Sequence, residues 1–204
     1  MLALLLATGA RGEIIDRVAA VVDRQVITLS EVNQVIEVRL FERQPAEEED
    51  AYRRRVLDAM IAQVLRYRDV ERFGAQDVSA DSIEAVVQEV IGRFPSEQDF
   101  AQALARAELT LDEVRTLIKR QLQVQAYIEE RFAPLIFVSL EQVETYYRDI
   151  WAPQRRARGL PVPPLADVSD EIRRLIRGDQ LDEEIARWTE QLRSRANVDV
   201  FVYR

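Results

Sequence analysis

The sequence predicts a mainly α-helical fold, a helical bundle with a small β-sheet formed by an N-terminal hairpin and the C-terminal strand. Three observations predict it. An apolar run, Val18 to Val22, meets a polar break at Asp23, Arg24 and Gln25 and resumes as Val26 and Ile27, which reads as a two-stranded hairpin. At the far end, Val198, Val200 and Val202 alternate with Asp199, Phe201 and Tyr203, which reads as a strand. Between them, apolar residues recur at helical spacing behind repeated N-capping signatures. A lone hairpin is marginal in water and leaves an edge unpaired. The last strand is therefore expected to pair with the first hairpin, so that the termini meet and everything between is a helical excursion.

The helices follow in order. Thr28-x-x-Glu31 is a capping box, and Val32, Val35, Ile36 and Leu40 follow at helical spacing. Gln44-Pro45 breaks the pattern, and the acidic run Glu47 to Asp50 suits the positive end of the next helix dipole. The spacing predicts a long helix over 51–73, with Val56, Leu57, Met60, Ile61, Val64 and Leu65 on one face and Gly74 as its stop. Ser79 caps a helix striped by Ile83, Val86, Val87, Val90 and Ile91. Ser96-x-x-Asp99 opens a short helix. Thr110-x-x-Glu113 is a second full box and opens a long helix ended by Pro134. Ser139-x-x-Gln142 is a third box, leading Val143, Tyr146, Tyr147 and Ile150. Trp151 to Ala166 holds four of the seven prolines and has no period, so it reads as an extended linker. Asp167 is expected to cap the last helix, with Gly178 as a point of interruption before Leu181, Ile185, Trp188 and Leu192.

Composition narrows the function. The chain has 204 residues, 48% of them hydrophobic, enough for one domain, or one with an appendage, and a real core. It has no cysteine and no histidine. That removes disulfides, thiolate nucleophiles, the commonest general base and the commonest transition-metal ligand. No D-x-[DN]-x-[DN]-G loop and no G-x-x-x-x-G-K-[ST] motif occurs, and no cofactor is expected. A net charge of −8 speaks against nucleic acid as a partner. Residues 1–12, MLALLLATGARG, resemble the back half of a secretory signal peptide without its basic start, so export is expected. The run is shorter than the roughly 20 apolar residues of a membrane span, so no stable membrane insertion is expected.

The order of elements carries a resemblance. DRVAAVVDRQVITLSEV resembles the opening of SurA-type periplasmic chaperones, a short strand motif running into an S-E-V helix. RRRVLDAMIAQVLRYRDVERFG, VSADSIEAVVQEVIGRF, LTLDEVRTLIKRQLQVQAYIEERF and IFVSLEQVETYY resemble successive helices of the SurA N-terminal domain and the helix leading out of it. IRRLIRGDQLDEEIARWTEQLRSRANVDV resembles the C-terminal helix and strand that close the core in SurA, PrsA and PpiD-like proteins. The implied organisation is a signal-peptide remnant over 1–12, a SurA-like N-terminal chaperone domain over 13–151, a Pro-rich linker over 152–166, and a C-terminal helix and strand over 167–204 that complete the core. In fuller family members a parvulin-type prolyl isomerase domain lies between the Y-Y helix and the C-terminal helix. The linker stands in that gap here, so no isomerase activity is expected.

The resemblance implies an ATP-independent holdase in the periplasm, binding unfolded or nascent exported and outer-membrane proteins through an apolar groove. The residues expected to line it are Phe41, Tyr52, Phe73, Phe94, Phe100 and Leu104, apolar positions near helix ends or on the weaker helix. Each of them also suits a core position. Tyr146, Tyr147, Trp151 and Trp188 are expected to pack the C-terminal helix onto the bundle. A scaffold or assembly subunit with one dedicated partner stays open at this point, whereas a degenerate prolyl isomerase is the third class and the missing domain speaks against it.

Overall fold

The computed structural model describes residues 16–203; the signal-peptide reading over residues 1–12 lies outside them. Strands β1 (Val18–Val22) and β2 (Gln25–Thr28) form the expected antiparallel hairpin. Its tight turn places Asp23 at φ 55°, a left-handed conformation that aspartate tolerates better than most residues. Strand β3 (Val198–Val200) pairs antiparallel with β1, giving the sheet order β2-β1-β3. Ala20 faces Val200 and Val22 faces Val198. The termini of the described chain therefore meet, as expected. The regular strand stops at Val200 rather than reaching Tyr203, although the Phe201 amide still donates to the Ala19 carbonyl at 2.9 Å.

β1 lacks the alternation of a half-buried strand because its register shifts between Val18 and Ala20. Such a bulge lets two successive side chains turn inward, and Ala19 and Ala20 are both fully buried. They pack with Val22 and Ile27 against helix α1 (Leu29–Glu37) and helix α2 (Glu49–Phe73), where Val32, Val56, Leu57 and Ile61 complete the principal core.

Three more helices extend the bundle: α3 (Ala80–Ile91), α4 (Glu97–Arg106) and α5 (Leu111–Arg131). All three start where the caps foretell. Ser79, Ser96 and Thr110 each accept a hydrogen bond from the amide three residues on, and the Thr28 and Thr110 boxes are both reciprocal. Val87, Val114 and Ile118 bury the α3–α5 contact. α2 begins at Glu49, two residues before its apolar face, because Glu49 and Asp50 suit the amino end of the dipole.

The proline-rich stretch departs from the expected extended linker. Helix α6 (Leu140–Tyr146) runs through a π-helical turn at Tyr147–Trp151 directly into α7 (Ala152–Ala157). The Ala152 amide bonds the Tyr147 carbonyl five residues back. Pro153 has no amide to contribute to an α-helical ladder, and a widened turn before it relieves the clash with the preceding carbonyl. Only after Gly159, at φ 68°, does the chain become extended.

Helix α8 (Leu165–Arg195) is continuous across Gly178, with Pro164 rather than Asp167 at its N-cap position. Asp167 lies in the first turn instead. The first half of α8 supplies Val168, Ile172 and Ile176 to a satellite core with Val143 and Trp151. The second half supplies Trp188, which packs with Val70, Val124, Tyr127 and Ile128 of α2 and α5. Trp188 thus docks the last helix on the bundle as expected, whereas Tyr146, Tyr147 and Trp151 pack the satellite. Among the described residues no helix is long and apolar enough to cross a membrane.

Candidate functional site

Three of the six residues singled out in the sequence come together. Phe41 and Tyr52 line a concavity of about 590 Å³ between the end of α1 and the start of α2, shared with Ile36, Arg39, Arg43 and Arg93. Phe94 lines an adjoining hollow of about 300 Å³ with Pro95 and Arg106. Ile36 and Arg39 border both, so the two hollows adjoin on one grooved face.

The groove's walls follow from local structure. α1 ends at Glu37, and Arg39 takes φ 54°, turning its guanidinium over the Phe94 ring at 4.4 Å. Arg39 donates to the Arg93 carbonyl, and Arg93 Nη1 donates back to the Arg39 carbonyl at 2.6 Å. This reciprocal pair ties the α1–α2 loop to the α3–α4 loop. The Tyr52 hydroxyl donates to the Phe41 carbonyl at 2.7 Å, and burial pushes its pKa up. Arg43 and Arg55 flank the Tyr52 ring at 5.8 and 5.3 Å. Arg43 and Arg93 are ion-paired with Glu49 and Glu42. The result is an aromatic and aliphatic floor inside a rim of paired charges. Such a floor can take apolar or aromatic side chains of varied shape, and the guanidinium faces can stack on them.

The other three residues lie elsewhere. Phe100 is buried behind Phe94, edge to face at 5.4 Å, and supports the groove without lining it. Leu104 packs against the α3–α5 core. Phe73 sits at the opposite end of α2 from Tyr52, roughly 30 Å along the helix axis. It is 64% exposed and borders a separate pocket with Tyr127 and Trp188.

Sequence reasoning missed the groove arginines, because a charged residue on a helix face usually points into water. It also missed the segment after α5, where Leu135 and Phe137 are 73% and 81% exposed. The signal for it was present: LIFV is an apolar run outside any helical stripe. Among the described residues no group of acidic side chains could hold a metal ion.

The chain is similar to a SurA chaperone. It is 29% identical over 139 residues to Chaperone SurA of Saccharophagus degradans, a stretch covering 66% of this chain and 32% of that protein. The chain thus spans about a third of the length of the curated relative it matches. No family model matches it.

Proposed function

We propose that this chain is an ATP-independent periplasmic chaperone that holds unfolded exported or outer-membrane polypeptides in the groove between α1, α2 and the α3–α4 loop. The observation that carries this reading is the groove itself: Ile36, Phe41 and Phe94 form an apolar floor inside a rim of arginines and glutamates. Similarity to Chaperone SurA supports it. Unfolded chains display apolar side chains that a folded protein hides. A groove that accepts many shapes needs an apolar floor, and a protein that stays soluble needs a polar rim. Affinity at one site is modest because ordering the client costs conformational entropy. In this reading the bundle and the satellite packed against α8 together make the chaperone body, residues 152–166 stand in the place of an isomerase domain, and the chain has no prolyl isomerase activity.

The test is dilution of a urea-denatured outer-membrane β-barrel protein into buffer without nucleotide. Equimolar chain is expected to suppress light scattering, and Phe94→Ser, checked by circular dichroism for an unchanged fold, to suppress it less. No suppression at fivefold excess, or capture of a single exported protein in place of many, overturns the reading. A proline-limited refolding reaction is expected to run at its uncatalysed rate.

A further inference from the structure

The pocket beside Phe73 is built differently from the groove. Phe73 stacks on Tyr127 at 6.4 Å between centroids, Tyr127 stacks on Trp188 at 5.5 Å, and Phe132 closes the row 5.3 Å from Trp188. The row starts at Phe73, 64% exposed, and ends buried at Trp188, so its outer end presents aromatic surface to solvent. The hollow measures about 280 Å³, at the lower edge of the range of small-ligand pockets, and has room for one large side chain.

Its rim is electrostatically lopsided. Arg131, Arg187 and Arg195 border it along with Asp69 and Glu184. Glu184 pairs with Arg187, and Asp69 accepts from the neutral Trp188 indole at 3.1 Å and keeps its charge, so three arginines against two carboxylates leave the rim a net +1. Arg131 lies over the Phe73 and Tyr127 rings at 5.8 and 5.9 Å. Neither Arg131 nor Arg195 is ion-paired with a described residue. Two exposed guanidiniums are thus left beside an aromatic wall, on a chain whose net charge is −8. A cationic ligand would meet Arg131 already seated on the rings. An aromatic side chain with a carboxylate next to it would complete both the stack and the charge.

We propose that this pocket is a second polypeptide-binding site, selective for an aromatic residue flanked by acidic residues in a non-native chain. It rests on the reading of the protein as a polypeptide binder, but on a different surface from the groove. Because the guanidiniums are exposed, the charge selectivity is moderate, about tenfold between acidic and basic flanks.

The experiment uses the full chain and end-blocked peptides, acetyl-Gly-Glu-Phe-Glu-Gly-amide, its Lys-Phe-Lys counterpart and its Glu-Ala-Glu counterpart. Binding is followed by the two tryptophan indole resonances in a nitrogen-15 spectrum. Expected is a shift of the Trp188 signal but not of Trp151, with the acidic aromatic peptide binding about tenfold more tightly than the basic one at low salt. Arg131→Met with Arg195→Met is expected to bring that ratio within about twofold, and Phe73→Ser to weaken both aromatic peptides. Equal binding of acidic and basic peptides, binding of the alanine peptide as tight as the phenylalanine one, or no Trp188 shift overturns the proposal. Phe94→Ser separates the two readings: it is expected to lower aggregation suppression while leaving the peptide preference intact.

Discussion

Asp23 and Asn197 are hydrogen-bonded to each other twice, although they are 174 positions apart in sequence. The Asp23 amide donates to the Asn197 carbonyl at 2.7 Å, and the Asn197 amide donates to Asp23 Oδ1 at 2.8 Å. Asp23 Oδ2 accepts from Arg68 Nη1 of α2 at 2.6 Å. One residue at the hairpin turn thus joins the end of the described chain, its beginning and helix α2.

Replacing Asp23 is expected to loosen β3 first. Asp23→Asn keeps a side-chain acceptor and a residue tolerant of φ 55°, and loses the ion pair; Asp23→Ala loses all three. The melting temperature should fall in the order wild type, Asp23→Asn, Asp23→Ala, and the amides of Val198 to Val202 should exchange faster with solvent. The Asn197 amide, then Arg68, holds the Asp23 carboxyl below its ordinary value of 3.8. A depressed carboxyl contributes stability in full above that ordinary value and loses it as pH falls through the lower folded value. An Asp23→Asn variant whose deficit persists undiminished at the acid end would contradict this.

Glu47 gives a second acid-sensitive contact. Arg55 grips both its oxygens at 2.8 Å and, with the Gln44 amide, holds its pKa at about 2 against an ordinary 4.5. The contribution is therefore complete above pH 4.5 and vanishes as pH falls through about 2. Urea midpoints of wild type and Glu47→Gln should differ at pH 6 and converge toward pH 2. A gap of constant size would remove Glu47 as the cause.

Gly178 lies inside α8 with open space around the position a Cβ would take and without a positive φ. Gly178→Ala should stabilise the protein by about 0.5–1 kcal/mol, because alanine loses less backbone freedom on entering a helix. For a chain of this size that is a rise of about 2–4 °C in Tm per kcal/mol, readable by calorimetry. A fall in Tm would mean that the two halves of α8 need to bend at Gly178.

The two cores should report separately. Ile172 and Leu57 are both essentially fully buried, one in the satellite and one beneath the sheet. Each truncation to alanine should cost about 2–5 kcal/mol. Trp151 belongs to the satellite and Trp188 to the bundle, so Ile172→Ala should change the indole signal of Trp151 and leave that of Trp188 in place. Equal disturbance of both would show one cooperative core.

Much of the fold was legible because its signals are local. A threonine or serine oxygen three residues before a reciprocal Glu or Gln marks a helix start whatever surrounds it, and Thr28, Thr110 and Ser139 all did so. The helical course through Pro153 was illegible, since proline argues for a break and only a π-turn lets the helix pass. The candidate site was half legible. Phe41, Tyr52 and Phe94 share a groove, but Phe73 faces another pocket and Leu104 packs inward, because periodicity says that a residue is apolar and not which neighbour it meets.

Hydrophobic period, capping chemistry and the need to pair a marginal hairpin were enough, from sequence alone, to set a helical body between chain ends that share a sheet. Tertiary packing decided the rest: the split of α8 between two cores, the arginine pair that joins two loops, and the aromatic row from Phe73 to Trp188. These depend on side chains brought together from positions tens of residues apart. Their meeting is fixed by how whole helices cross, which no local pattern encodes.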